Sequence, residues 1–202
     1  YNDMFGPGSW SRPVRSEKER EDPHPVFAAY MKHRVSELFS RDEVRETVLP
    51  SYMGLIKQID DQMGVLFSEM QRRGLWDNTL IVFTSDHGDY LGDHWLGEKD
   101  FFHEPSVKVP LVIRDPRACA VRGQVCDALV EAIDLAPTFV EAFGGQPAYN
   151  WFEGRSLLSL LAGKRPENWR QVVFSEYDYA MQEARETLGQ GISECKIIMA
   201  CD

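Results

Sequence analysis

Asp86 and His87 stand side by side in Ser85-Asp86-His87-Gly88, directly after the run Thr79-Leu80-Ile81-Val82-Phe83-Thr84. A carboxylate with an imidazole suits zinc, manganese or iron, whereas a set richer in oxygen would suit calcium or magnesium. Adjacent side chains on an extended strand point to opposite faces, so both can reach one ion only if the chain turns sharply, as Gly88 allows. Taken alone, the more ordinary reading of Asp-His-Gly is an Asx-type turn carrying a surface histidine. Two more histidines follow, His94 and His103. A lone histidine is more often structural than catalytic.

The elements that must position this pair are legible as patterns. Residues 1–27 are punctuated by Gly6, Pro7, Gly8, Pro13, Pro23 and Pro25 and carry the charge run Glu17–Asp22, so they read as an irregular segment. A first helix is expected from about Pro25 to Phe39. A long one follows from about Asp42 to Arg73, with Tyr52, Ile56, Ile59, Met63, Leu66 and Met70 at helical spacing. Such a single-sided helix packs on something flat, usually a sheet. Gly74 ends it, and Asp77-Asn78 turns the chain into the strand.

The continuous run Thr79–Thr84 predicts a strand buried on both faces, as in a parallel sheet flanked by helices. In such sheets ligands bind beyond the carboxyl ends of the strands, which is where Asp86 and His87 fall. A second buried strand is expected at Val109–Arg114, a strand or loop at Gln124–Cys126, helices at Leu135–Phe143 and Ser156–Leu161, and strands at Val172–Ser175 and Cys195–Met199. The aromatic group Tyr149, Trp151 and Phe152 reads as a loop packed on the core, with a subunit contact as the alternative. Neither a repeat nor a linker is visible, so one compact α/β body is expected.

Composition narrows the class. The charge of −10 argues against nucleic acid bound through its phosphates. No apolar run approaches the roughly 20 residues of a membrane-spanning helix. Cys119, Cys126, Cys195 and Cys201 do not form a zinc cage and read as free structural thiols, which fits a cytoplasmic protein. Tyr1 is not an initiator methionine, so missing targeting signals prove nothing.

The segment T-L-I-V-F-T-S-D-H-G-D-Y-L-G-D-H, a lysine twelve residues beyond His87, and V-P-L-V-I resemble the sulfatase branch of the alkaline phosphatase superfamily. The match looks closest to phosphonate monoester hydrolases and related arylsulfatases. D-L-A-P-T at Asp134–Thr138, G-R-S-L-L at Gly154–Leu158 and W-R-Q-V-V-F-S-E at Trp169–Glu176 extend it over nearly the whole chain. The resemblance implies an alkaline-phosphatase-like α/β sandwich with a mostly parallel sheet, incomplete in residues 1–202. It implies a divalent metal, with manganese, calcium, zinc and iron not distinguished, held in part by Asp86 and His87. It also implies that Lys99 is catalytic and binds substrate, holding an oxygen of the transferred group as negative charge builds up. Glu98 precedes Lys99 where relatives of that family often carry glycine. His94 is the further candidate for substrate binding.

Family members place a formylglycine, serine or threonine nucleophile in a C/S/T-x-P-x-R motif. Ser11-Arg12-Pro13-Val14-Arg15 fits that pattern literally. It lies too close to Asp86, and the nucleophile-bearing helix is not expected here. The chain therefore reads as the carboxyl-terminal part of a hydrolase of sulfate esters, phosphodiesters or phosphonate monoesters, inactive alone. Its expected partner is a small anionic ester, without nucleic acid or membrane, and a homo-oligomer is left open. A phosphotransferase or mutase of the same superfamily and a non-catalytic sulfatase-fold protein are the alternatives.

Overall fold

The protein is seen in a computed structural model that describes residues 1–178 apart from residues 2, 7 and 9, with the backbone alone at residues 178 and 196–201. Short helix α1 (Lys18–Glu21) interrupts the irregular opening segment. The helix expected over residues 25–39 is two helices, α2 (Pro25–Met31) and α3 (Arg34–Phe39). His33 is extended between them, at φ −62° and ψ 143°. Apolar spacing survives such a break, so it does not reveal one.

Helix α4 (Asp42–Arg72) is the long element, about 46 Å at 1.5 Å per residue. Asp42 and Glu43 lie in its first turn and Arg72 in its last, each sign suited to the helix dipole. The helix continues past Pro50, which removes one backbone donor. Gly74, at φ +68°, supplies the left-handed residue that ends it. Its buried positions are Arg45, Leu49 and Gly54, not the expected stripe. Tyr52, Ile56, Ile59 and Leu66 remain 37–55% exposed. The periodicity marks a helix, but it does not mark which face is buried.

Strand β1 (Ile81–Thr84) pairs with β2 (Leu111–Arg114) in an antiparallel register that sets Ile81 against Arg114 and Thr84 against Leu111. Leu111 and Ile113 turn toward a core while Val112 is 62% exposed. The expectation of a parallel pair buried on both faces therefore does not describe these strands. A run of β-branched residues favours a strand, but partners decide which faces are covered. Strands β3 (Val173–Asp178) and β4 (Lys196–Cys201) form a second two-stranded sheet. Helices α5 (Glu104–Val107), α6 (Leu135–Ala142) and α7 (Leu158–Leu161) complete the described elements. Residues 124–126 are loop.

The chain divides into two units, each assembled from separated segments, which is why no linker marks them. The first comprises Tyr1–Gly74, His87–Val109 and Glu176–Ile197. Its core is Val26, Tyr30, Tyr90, Leu96 and Phe101, with Phe27 stacked on Phe101 at 4.1 Å between ring centres.

The second unit comprises Leu75–Asp86, Pro110–Ser175 and Ile198–Asp202. Ala128, Leu157, Leu160 and Trp169 form its core. Beside them lies a buried ion pair. Arg170 donates to both Asp134 carboxylate oxygens at 2.5 and 2.6 Å, and the same carboxylate accepts Glu131 N–H at 2.8 Å and Arg155 N–H at 2.7 Å. Thr138 Oγ1 donates to the Asp134 carbonyl and accepts Leu157 N–H. Gly154 approaches so closely that a Cβ would lie 2.1 Å from the Ile133 carbonyl oxygen. Three separated motifs, Asp134–Thr138, Gly154–Leu158 and Trp169-Arg170, thus make one structural knot.

Tyr149 and Trp151 are 60% and 84% exposed, so the expected packing of that aromatic group on the core is not realised. Cys119 and Cys126 are free thiols, as expected, but exposed, so neither helps fill a core. The side chains of Cys195 and Cys201 lie outside the described residues.

Candidate functional site

Strand β1 delivers the chain to Ser85 and Asp86, and Asp86 and His87 are both exposed. The boundary between the two units falls between them. His87 Nδ1 lies 2.8 Å from the Gly88 carbonyl oxygen. In the neutral ring that bond fixes the proton on Nδ1 and leaves the lone pair on Nε2, the arrangement used by metal-binding histidines. An imidazole nitrogen and a carboxylate are a chemically fitting donor pair for a divalent ion. Among the described residues, however, no group of three or more His, Cys, Asp or Glu could hold one. Asp86 and His87 are two candidate donors, fewer than the three or more that a closed site uses.

Gly88 is required sterically. Its N–H donates to the Ser106 carbonyl at 2.7 Å, and a Cβ there would sit 1.9 Å from the Pro105 carbonyl oxygen. From this anchor the chain runs out and returns. Tyr90 N–H donates to the Glu98 carbonyl and Gly92 N–H to the Leu96 carbonyl, each at 2.9 Å. The two bonds tie the outgoing residues 90–92 to the returning residues 96–98. The spacing of twelve residues between His87 and Lys99 is the length of this excursion.

The half-buried Asp89 carboxyl is raised above its ordinary value, chiefly by burial and further by Glu98, while Leu91 N–H, His87 and Lys99 pull it down. A carboxylate therefore shares the neighbourhood of His87 and Lys99. Residue type alone does not single out Asp89, and no spacing rule points to it.

The excursion is held by an unusual backbone. Leu91, His94, Trp95 and Glu98 all adopt left-handed φ, at +47°, +53°, +63° and +62°. Each such non-glycine residue costs roughly 1–2 kcal/mol, so surrounding contacts must over-determine the loop. The opening segment provides them. Val14 N–H donates to Asp93 at 2.9 Å, and His94 N–H donates back to the Val14 carbonyl at 2.8 Å. Trp95 Nε1–H donates to the Ser16 carbonyl at 2.7 Å, and its ring lies beneath the guanidinium groups of Arg15 and Arg20. Arg15 also donates to the Phe39 carbonyl at 3.1 Å and to Asp42 at 2.6 Å.

His94 and His103 stack at 4.0 Å between ring centres. His94 Nδ1 lies 2.8 Å from Glu19, so that ring faces the opening segment, whose residues 14–20 form a strap over the loop. Burial alone would raise the Glu19 carboxyl, but the Ser16 N–H and His94 hold it below its ordinary value. His103 Nδ1 lies 2.9 Å from the Tyr90 hydroxyl, which also accepts His103 N–H at 3.3 Å. Burial and neighbouring His94 lower the His103 pKa, with Glu19 opposing them. The Tyr90 phenol is pushed up by burial. A neutral phenol donating to a neutral imidazole satisfies both groups.

Comparison with known proteins bears on this chain directly. The sulfatase family profile matches residues 12–145, and that of the N-sulphoglucosamine sulphohydrolase carboxyl-terminal region matches residues 92–199. The multifunctional alkaline phosphatase superfamily protein PehA of Trinickia caryophylli is 35% identical over 192 residues, covering 89% of this chain and 37% of that protein. N-acetylglucosamine-6-O-sulfatase of Bacteroides thetaiotaomicron is 35% identical over 128 residues, covering 62% of this chain and 23% of that one. The phosphonate monoester hydrolase of Silicibacter pomeroyi shares the fold at a TM-score of 0.88 and 31% identity, over 100% of this chain and 42% of its own. The α/β, alkaline-phosphatase-like fold implied by the motifs is thereby established, and the chain spans about two fifths of these longer relatives at most. With a family profile matching more than half its length, this chain belongs to the sulfatase family.

Proposed function

We propose that the protein is a metal-dependent hydrolase of sulfate esters, phosphodiesters or phosphonate monoesters, and that this chain supplies part of its site. Asp86 and His87 are metal ligands in this reading, and Lys99 is the cation that meets the transferred group. The reading is supported most by the path of residues 88–99, which leaves Asp89 in the fields of both His87 and Lys99. Asp86 and His87 would contribute to holding a divalent ion, whose chemistry there would be Lewis-acid withdrawal of charge.

The chain's own residues do the rest. The Gly88 carbonyl orients the His87 ring so that Nε2 is the ligating nitrogen. Lys99 stabilises the non-bridging oxygens as they gain charge. Asp89, whose carboxyl feels the charges of His87 and Lys99, tempers the positive field. His94, engaged by Glu19 and His103, holds the loop more than it meets substrate. The nucleophile is not Ser11, because Arg15 of the same motif is committed to Phe39, Asp42 and Trp95. The substrate is a small anionic ester; both sulfate and phosphonate esters are named among the relatives.

The test is hydrolysis of an aryl sulfate and an aryl phosphonate monoester by the intact protein, with and without chelator. Chelation should abolish turnover and added divalent metal should restore it. Asp86→Ala and His87→Ala should weaken metal binding. Lys99→Ala should lower kcat by about 10²–10³, the loss typical of a donor aimed at developing negative charge. Turnover indifferent to both chelator and Lys99→Ala would refute the reading.

A further inference from the structure

The excursion from Gly88 to Lys99 needs something to hold its two ends together, and a single buried residue does so. Ser106 is 3% exposed and lies in helix α5. Its Oγ donates to the Lys99 carbonyl, which also accepts Phe101 N–H at 2.9 Å. Its own carbonyl accepts Gly88 N–H at 2.7 Å, and its N–H donates to the His103 carbonyl at 2.9 Å. Through its hydroxyl and carbonyl, one residue is bonded to the turn after His87 and to the backbone of Lys99.

The geometry points to Ser106 as a positioning residue for the Lys99 ammonium, resting on the reading of His87 and Lys99 as site residues given above. The Ser106 hydroxyl fixes where the Lys99 backbone stands relative to the His87 turn. The long, flexible lysine stem then needs to be ordered only from that point outward.

A side chain with four rotatable bonds cannot hold a charge in place if its own backbone drifts. A displacement of about 1 Å at a reacting group can cost on the order of 10²-fold in rate. Ser106→Ala removes only the bond to Lys99. The Gly88 anchor survives it, because that bond uses the Ser106 carbonyl. The variant also keeps nearly the same volume, so it should fold.

The experiment is a kinetic cycle in the intact enzyme with Ser106→Ala, Lys99→Ala and the double variant, assayed on an aryl sulfate and an aryl phosphonate monoester. Ser106→Ala should lower kcat by roughly 10–100-fold, with KM and metal affinity within about twofold of wild type. Ser106→Cys, isosteric but a weaker donor, should fall between Ser106→Ala and wild type. The double variant should be no slower than Lys99→Ala alone, because Ser106 acts only through that lysine. Multiplying losses in the double variant would show general loosening and overturn the proposal. So would an unchanged kcat in Ser106→Ala when Lys99→Ala is impaired. If Lys99→Ala itself is unimpaired, the site reading falls and takes this one with it.

Discussion

Removing the Asp134 carboxylate is the sharpest test of how the second unit is held together. That carboxylate is fully buried and accepts four hydrogen bonds, two from Arg170 and one each from the Glu131 and Arg155 amides. In Asp134→Ala the Arg170 guanidinium, with its side chain only 7% exposed, keeps Glu131 at 3.1 Å as its remaining carboxylate. Breaking a buried pair from one side costs about 3–5 kcal/mol, and each amide left without an acceptor adds about 1 kcal/mol where water can partly reach it. Glu131 offsets part of this, which puts the loss at about 4 kcal/mol. For a protein near this size that lowers Tm by about 10 °C. Urea unfolding followed by tryptophan fluorescence measures it. Asp134→Asn with Arg170→Met should recover part of the loss, giving a coupling energy of about 2 kcal/mol or more in a double-mutant cycle. A loss below about 1.5 kcal/mol in Asp134→Ala, or no coupling, would refute the argument that this pair organises the unit.

Other outcomes follow from the loop. Glu98→Gly should raise stability by about 0.5–1 kcal/mol, because relief of the left-handed strain exceeds the added freedom of the unfolded chain; a fall in Tm would count against it. Gly88→Ala should cost about 3 kcal/mol or displace α5, since its Cβ meets a backbone carbonyl that cannot swing away; thermal unfolding and crystallography of the variant check it. His103 has a lowered native pKa, so the unfolded chain takes up its proton first. Its stabilising contribution is complete above the ordinary histidine value and is lost as pH falls from there through the lowered native value. Tm should drop on acidification in that window, and the drop should be smaller in His103→Asn. Glu19 behaves alike in a lower window: its depressed pKa gives stability above the ordinary carboxylate value that is lost as pH falls through the native one. The corresponding variant Glu19→Gln should flatten the curve there.

Much of the fold was legible because short-range chemistry sets it. Gly74 and Gly144 end their helices with left-handed φ, and the apolar run before Ser85 is a strand. The covering of faces was not legible, because Ile59 or Val112 looks the same in sequence whether or not an element lies over it. The break at His33 was hidden because α2 and α3 keep one apolar rhythm across it. At the site, Asp86, His87 and Lys99 are marked by residue type and by motif. Asp89 and Ser106 are not, because their part depends on burial and on backbone bonds that no spacing rule encodes. Ser11-Arg12-Pro13-Val14-Arg15 shows the reverse hazard, a motif matched in letters whose arginine has structural work elsewhere.

The docking of residues 14–20 on the left-handed loop also bears on hydrogen exchange. The His94 amide is protected by the Val14 carbonyl and the Val14 amide by Asp93. Neither can exchange unless strap and loop part. The two segments should therefore open as one cooperative unit, with matched protection factors despite lying about eighty residues apart in sequence. A nick between Val14 and Arg20 would be felt first at Trp95, as a change in its fluorescence, before either core loosens.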